Sequence, residues 1–441
     1  MPIVSICRSA SSAALIAALA LAGCAGQPSR PVVSNNSAPP AAASTQSVQV
    51  AAAGHAAPPA AAAKPVPAAA PATAPAAPKP PPAPVSFDQA VINAADGVLS
   101  KLPPGKHLVV IDPLVDGVTG MQTAATKSIQ ARIAALAKQK YPEIELAAFT
   151  SDAVHQAPIV LVGTFTPVDK DAKTAGPREA YRFCLVALDL ASGTTIAKSV
   201  ARALPEGVDA TPLAAFGDSP VWTADKQIQS YIASCQQSKV GDPINQTYVD
   251  GLVAAALVSD AIDAYNQQHY AQARELYTAA KSSPQGDQLR VYNGLYLTNS
   301  KLGARRQAED AFIGLVDYGL KTNRLGVKFL FRPGSTGFAF ESNSDYVMWL
   351  HDIALEADKR KSCLEVTGHT SATGSAAINE RLSLLRAEYI RVRLAQDAPA
   401  LGPRMIANGM GSRENLVGTG ADNASDALDR RVEFKVIPSC A

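Results

Sequence analysis

The chain lacks any apolar run long enough to span a bilayer, since a transmembrane helix needs about twenty such residues and the clearest run, 13–22, covers roughly half that. Aromatic residues are scarce at 6% and charged residues reach only 18%, although hydrophobic residues make up 47%. Alanine rather than packing side chains inflates that apolar fraction, so part of the chain cannot be core. There is almost no charge imbalance: 40 Lys and Arg stand against 38 Asp and Glu, leaving +2. That is far too little for the phosphate neutralisation that drives nucleic-acid affinity, and nucleic acid is not expected as a partner. Catalytic and metal motifs are missing too. The six histidines, His55, His107, His155, His269, His351 and His369, form no HExxH and no paired metal spacing. The cysteines form no CxxC, and no GxSxG nucleophile elbow occurs. Gly409-Met410-Gly411 lacks the third glycine and the strand-helix setting of a dinucleotide loop. The expectation is therefore a non-enzyme with neither metal nor cofactor. At 441 residues the chain has room for about three ordinary domains.

Arg8 precedes the short apolar run, which has the length of a signal-peptide core. The run ends in Leu21-Ala22-Gly23-Cys24. This resembles the lipobox of bacterial lipoproteins, which implies removal of residues 1–23 and acylation of Cys24; the alternative is an ordinary secreted protein with a chance cysteine. Several acyl chains, at about 0.8 kcal/mol per buried methylene, hold a protein firmly to a membrane. Ala25 stands where lipoproteins kept at the inner membrane carry Asp, so the resemblance implies the outer membrane, facing the periplasm.

With Cys7 removed and Cys24 lipidated, Cys184, Cys235, Cys363 and Cys440 remain, an even number in two different domains. Pairing within each domain joins Cys184 to Cys235 and Cys363 to Cys440. Four cysteines allow three connectivities, and buried thiols are the alternative.

Residues 24–86 begin with the anchor cysteine and, from Pro31 on, are mostly alanine and proline. Frequent proline blocks helix despite the alanine, so the segment reads as a disordered, partly polyproline II tether, about 170 Å from Pro31 onward at full stretch. Order begins near Phe87. Residues 87–240 read as an α/β domain: a helix on Ala90, Val91, Ala94, Val98 and Leu99, a strand over 107–112, a loop over 113–120 and a helix over 122–139. Strands over 145–149 and 159–165 follow, then a hairpin of 181–188 and 194–203 turned at Ala191-Ser192-Gly193. This layout weakly resembles the small α/β domain of curli-assembly and penicillin-binding-protein-activator lipoproteins.

In residues 245–322 a pattern recurs. Tyr270, Ala273, Tyr277 and Ala280 return in character as Gly303, Ala308, Phe312 and Leu315, with an offset of 35 residues from Ala273 to Ala308 and from Tyr277 to Phe312. It resembles tetratricopeptide repeats, with their period of 34, although the first-helix Trp is absent and Gln268 stands where a glycine is expected. A pair of helical hairpins in accidental register is the alternative. Two repeats are fewer than the roughly three that stand alone, so they should lean on a neighbour.

Residues 325–438 alternate strand (326–331), helix (344–357), strand (364–367), helix (379–396) and two strands (404–410 and 431–436). The order requires parallel and antiparallel pairing in one sheet. Gly368-His369-Thr370, Gly374, Asn379, Leu382-Ser383, Arg386-Ala387, Gly409, Gly411 and Arg430-Arg431-Val432-Glu433 resemble the OmpA-like, peptidoglycan-associated domain. The whole is then a multidomain α/β and α protein: signal and Pro/Ala linker, α/β domain, two tetratricopeptide-like helical repeats, and a C-terminal OmpA-like α+β domain with a mixed sheet. In that family the last strand runs antiparallel beside the strand at Leu364, which brings Cys440 near Cys363.

The resemblance implies recognition of diaminopimelate in the peptidoglycan stem peptide, a zwitterion wanting one anion and one fixed guanidinium. The residues it points to are Thr370, Ser371, Gly374, Asn379, Ser383, Arg386, Asp429, Arg430 and Arg431. Asn379, Ser383 and Arg386 lie at i, i+4 and i+7, one stripe of a helix, and Arg386 stands where the family clamps the ligand carboxylate. Without the family, that stripe reads as a solvated helix face. One departure matters: Ser371 stands where the family places the Asp that takes the ammonium. A hydroxyl in place of a carboxylate loses about 1 to 2 kcal/mol, roughly tenfold in affinity. Asp429, which replaces the Asn usual before Arg430, is a candidate to compensate from the terminal strand. The expected function is a lipid-anchored envelope protein that ties the outer membrane to peptidoglycan and meets unidentified protein partners with its other domains. The rival is a scaffold or accessory subunit of an envelope secretion, motility or wall-synthesis machine that no longer binds wall.

Overall fold

A computed structural model of the chain describes residues 82–174, 178–339, 344–418, 420 and 424–440. The segment read as a signal peptide, Cys24 and nearly all of the Pro/Ala segment lie outside the described residues.

The first folded unit is built on α1 (Phe87–Leu99), β1 (His107–Ile111), α2 (Ala124–Lys140), β2 (Ile144–Ala147), α3 (Ser151–His155), β3 (Ile159–Val168), β4 (Ala180–Asp189) and β5 (Thr194–Ala203). Two further helices, α4 (Ala214–Gly217) and α5 (Lys226–Gln236), complete it. The strands form one sheet in the order β2-β1-β3-β4-β5, with β1 parallel to β2 and β3 and the other pairs antiparallel. Alternation along β3 sends Ile159, Leu161 and Phe165 to the face under α1 and α2, and Val160 and Val162 to the face under α3 and α5. Both faces are covered, so β3 is buried throughout, which is why its sequence is a continuous apolar run. The loop after β1 is tied by Asp116, whose Oδ1 accepts from Val118 N at 3.1 Å, Thr119 N at 2.7 Å and Thr119 Oγ1 at 2.7 Å. Thr123 then caps α2 in a reciprocal box with Thr126. Cys184 on β4 is disulfide-bonded to Cys235 on α5, with Cα atoms 6.1 Å apart.

The middle is helical: α6 (Gln246–Asp250), α7 (Leu252–Asn266), α8 (Tyr270–Ser282), α9 (Leu289–Lys301) and α10 (Arg305–Lys321). Ala273, Tyr277, Ala280, Ala308, Phe312 and Leu315 are all buried between these helices. Gly294 on α9 lies flat against the Tyr277 ring, where a Cβ would come within 2.2 Å of Tyr277 Cε1. The small residue therefore sets how closely α8 and α9 approach.

The C-terminal unit comprises β6 (Phe329–Leu330), α11 (Ser344–Lys359), β7 (Cys363–Gly368), α12 (Ala376–Asp397), a 3₁₀ turn (Pro399–Arg404), β8 (Met405–Gly409), α13 (Ala424–Asp429) and β9 (Arg431–Ile437). Its sheet order is β6-β9-β7-β8, with β7 and β8 parallel and β9 antiparallel to both β7 and β6. This mixed sheet matches the pairing that the element order requires. Cys363 and Cys440 are disulfide-bonded with Cα atoms 5.1 Å apart, beside the Cys363–Ile437 pairing. β6 is only two residues long, shorter than the expected strand, because the chain before it pairs elsewhere: Val327 bridges to Val221 and Lys328 N donates to Pro220 O at 2.7 Å. Asp429 ends α13 instead of lying on the terminal strand.

The helical middle and the C-terminal unit share one core. Trp349 of α11 stacks on Phe312 of α10 with centroids 5.6 Å apart and donates from Nε1 to Tyr296 Oη at 3.0 Å. The helical hairpins thus bury against α11 the apolar surface that a longer helical array would bury against its next member.

Candidate functional site

The site lies where β7 ends and α12 begins. Gly368 closes β7 with no room for a side chain: a Cβ there would sit 1.9 Å from Ser383 O. That close approach seats α12 on the strand ends. The loop 369–375 then wraps the first turn of α12. Asn379 Nδ2 donates to Thr373 O at 3.0 Å and Ser371 O at 3.4 Å, and Gly374 takes the left-handed conformation at φ +92°. Ser371 is buried, its hydroxyl 2.9 Å from Thr373 Oγ1. Thr370 N donates to Gly411 O at 2.8 Å, while its own buried hydroxyl finds no partner among the described residues. Ser383 Oγ donates to Glu380 O at 2.7 Å and accepts from Gly411 N at 2.9 Å, fixing the end of β8 to α12.

Arg386 is fully buried. Its guanidinium lies over the Phe331 ring, 5.1 Å from the centroid, and donates to three main-chain carbonyls. Nε reaches Ser335 O at 2.9 Å, Nη1 reaches His369 O at 3.1 Å and Nη2 reaches Arg332 O at 2.9 Å. Burial, and then the neighbouring Arg430, push it down to about 10, which still leaves it charged at neutral pH. A strap from Arg332 to Gly337, closed by Arg332 N donating to Gly337 O at 3.0 Å, therefore supplies Arg386 with carbonyl oxygens. His369 is held neutral: burial, and then Arg431, push it down to about 3.

Asp429 and Arg431 belong to a second, adjoining cluster. The Asp429 carboxylate accepts from Leu416 N at 2.8 Å, Val417 N at 3.4 Å and Gly418 N at 2.8 Å, and lies 3.5 Å from Arg431 Nη1. Arg431 Nε pairs with Glu433, which also accepts from Trp222 Nε1 at 2.5 Å. The two clusters touch through His369 N, which donates to Arg431 O at 2.8 Å. Arg430 is half-buried just after α13. The loop and helix residues Thr370, Ser371, Gly374, Asn379, Ser383 and Arg386 thus form one constellation, and Asp429 spends its oxygens on amides and Arg431 beside it. The strap is a feature that the reading of motifs missed. Its sequence signal was Pro333-Gly334, a turn dipeptide just after an apolar strand.

Chemically, the constellation offers one fixed guanidinium and a hydroxyl-lined loop. The domain that carries it is OmpA-like: residues 330–427 match the OmpA family. Among solved structures, the peptidoglycan-associated lipoprotein from Burkholderia pseudomallei is 24% identical, covering 25% of this chain and 89% of that one, with a TM-score of 0.22. The cell wall anchor of the T6SS from Pseudomonas aeruginosa is 28% identical, covering 26% of this chain and 79% of that one, also at 0.22. The C-terminal domain of Helicobacter pylori MotB is 20% identical, covering 25% and 84%, again at 0.22. No curated protein matches the chain.

Proposed function

We propose that this is a non-enzymatic, lipid-anchored protein of the cell envelope. Cys24 is acylated and sits in the outer membrane, the Pro/Ala segment runs from it into the periplasm, and the OmpA-like domain holds the diaminopimelate of peptidoglycan stem peptides. The α/β domain and the helical hairpins, read as tetratricopeptide-like repeats, receive protein partners. The observation that carries this reading is the joining of the Thr370-Ser371 loop to the Asn379, Ser383 and Arg386 stripe within a domain of the OmpA family. In it, Arg386 takes the ligand carboxylate once Arg332 and Ser335 release it, and Thr370 and Ser371 meet the ammonium side. Co-sedimentation of the full chain with isolated sacculi tests it.

A second reading, a scaffold or accessory subunit of an envelope machine without wall binding, is favoured by two observations. Ser371 offers no anion, and all three nitrogens of Arg386 already have partners. On that reading the constellation is a structural lock. Failure to sediment with sacculi, together with intact folding, selects it.

A further inference from the structure

A second site lies where the three folded units meet. A cavity of about 310 Å³ opens between Asp218 and Ser219 of the segment after α4, Tyr265 and Lys301 of the helical middle, and Lys328 and Trp349 of the C-terminal unit. That volume is at the lower end of small-ligand pockets, which favour such domain junctions. Its charges are unevenly served. Lys301 Nζ is 2.9 Å from Asp218 Oδ2, which also accepts from Tyr265 Oη at 2.8 Å, so this pair is neutralised locally. Lys328 differs. It is 3% exposed, and among the described residues no carboxylate lies within 4.0 Å of its ammonium. Its hydrogen bond is a long one, 3.5 Å to Phe216 O, next to the Gly217 to Ser219 wall; the Trp222 ring lies 4.6 Å from it, and Glu433 and Arg431 act on it with opposite sign.

A buried cation with one poor hydrogen bond is costly unless an anion completes it. Tyr296, Tyr346 and Trp349 also line the cavity, with Tyr346 and Trp349 ring centroids 4.9 Å apart, and so does Asp345, whose carboxylate accepts from Tyr296 Oη at 3.2 Å. We propose that this cavity binds a small aromatic carboxylate, its anion on Lys328 and its ring against Tyr346 and Trp349. Burial, with a smaller push from Arg431, takes the Lys328 amine down to about 7 despite the pull of Glu433. Such a ligand touches all three units at once and would fix their junction.

The chain has two tryptophans, and both report on this cavity: Trp349 lines it and Trp222 covers Lys328. The test is a fluorescence titration of the full chain with phenylacetate and with its uncharged isostere phenylacetamide. Phenylacetate should saturate the signal and bind roughly tenfold tighter than the amide, the difference between a charge-assisted and a neutral hydrogen bond. Lys328→Met should erase that preference. Equal binding of the two probes by the wild type, no response to phenylacetate, or an undiminished preference in folded Lys328→Met overturns the assignment. If Lys328→Met does not fold, the wild-type contrast decides by itself.

Discussion

Replacing Arg386 tests whether it locks the C-terminal unit. Its guanidinium joins three segments distant in sequence, through the carbonyls of Arg332, Ser335 and His369. A hydrogen bond from a charged donor contributes about 1.5 to 3 kcal/mol net, and an acceptor left buried without a partner costs about 1 to 3 kcal/mol. Arg386→Ala removes all three bonds and the cation over Phe331. Water entering the gap recovers part of the loss, so about 4 kcal/mol is the expected destabilisation, a large share of a typical total of about 5 to 15. Arg386→Lys keeps the charge but reaches one or two of the carbonyls, so it should fall between. The assay is urea unfolding followed by tryptophan fluorescence, since Trp349 sits in α11 beside this unit's core. The expected order is wild type, Arg386→Lys, Arg386→Ala. If Arg386→Ala unfolds within about 1 kcal/mol of wild type, the bonds are not a lock and the reasoning fails. Wall-binding data on Arg386→Ala therefore need the folded Arg386→Lys beside them.

Other outcomes follow from particular residues. Cys24→Ser should leave the precursor uncleaved and unlipidated, and normal fractionation of that variant with outer-membrane lipids would remove the anchor from the account. Gly294→Ala should cost about 1 to 3 kcal/mol, because the new methyl meets the Tyr277 ring, and a second change of Tyr277→Leu should relieve it in a double-mutant cycle. Asp429→Asn should lower stability by about 1 to 3 kcal/mol without a selective effect on wall binding, since its oxygens serve Leu416, Val417, Gly418 and Arg431; a selective loss of sacculus binding at unchanged stability would return Asp429 to the ligand site.

The sheet of the first unit was legible because its strands carry the signals that burial imposes. Residues 159–162 are unbroken apolar residues in a strand covered on both faces, and Ala191-Ser192-Gly193 turns β4 into β5 with Gly193 at φ +69°. The closeness of Cys363 and Cys440 was legible only through the family resemblance, which implies a last strand antiparallel beside the strand at Leu364. Less visible were features that depend on contacts far apart in sequence. β6 shortens because residues near Pro220 and Val221, more than a hundred positions earlier, take over the edge beside Val327 and Lys328. Nothing near Asp429 in sequence tells that three amides from 416–418 claim its carboxylate. The stripe of Asn379, Ser383 and Arg386 was visible as spacing. Its burial was not, because a polar i, i+4, i+7 pattern has the same appearance on a solvated face as under a strap. The buried Lys328 likewise looks like any strand lysine until Trp222 is found over it.

The most direct measurement of the central claim is co-sedimentation of the full chain with isolated sacculi at low salt, wild type beside Ser371→Asp. In the tether account the wild type binds weakly, because Ser371 presents only a hydroxyl to the ammonium. A carboxylate there recovers about 1 to 2 kcal/mol, roughly tenfold tighter binding, and free diaminopimelate competes. If neither protein sediments with the wall while both remain folded, the OmpA-like domain is not a wall anchor in this chain and the scaffold reading stands in its place.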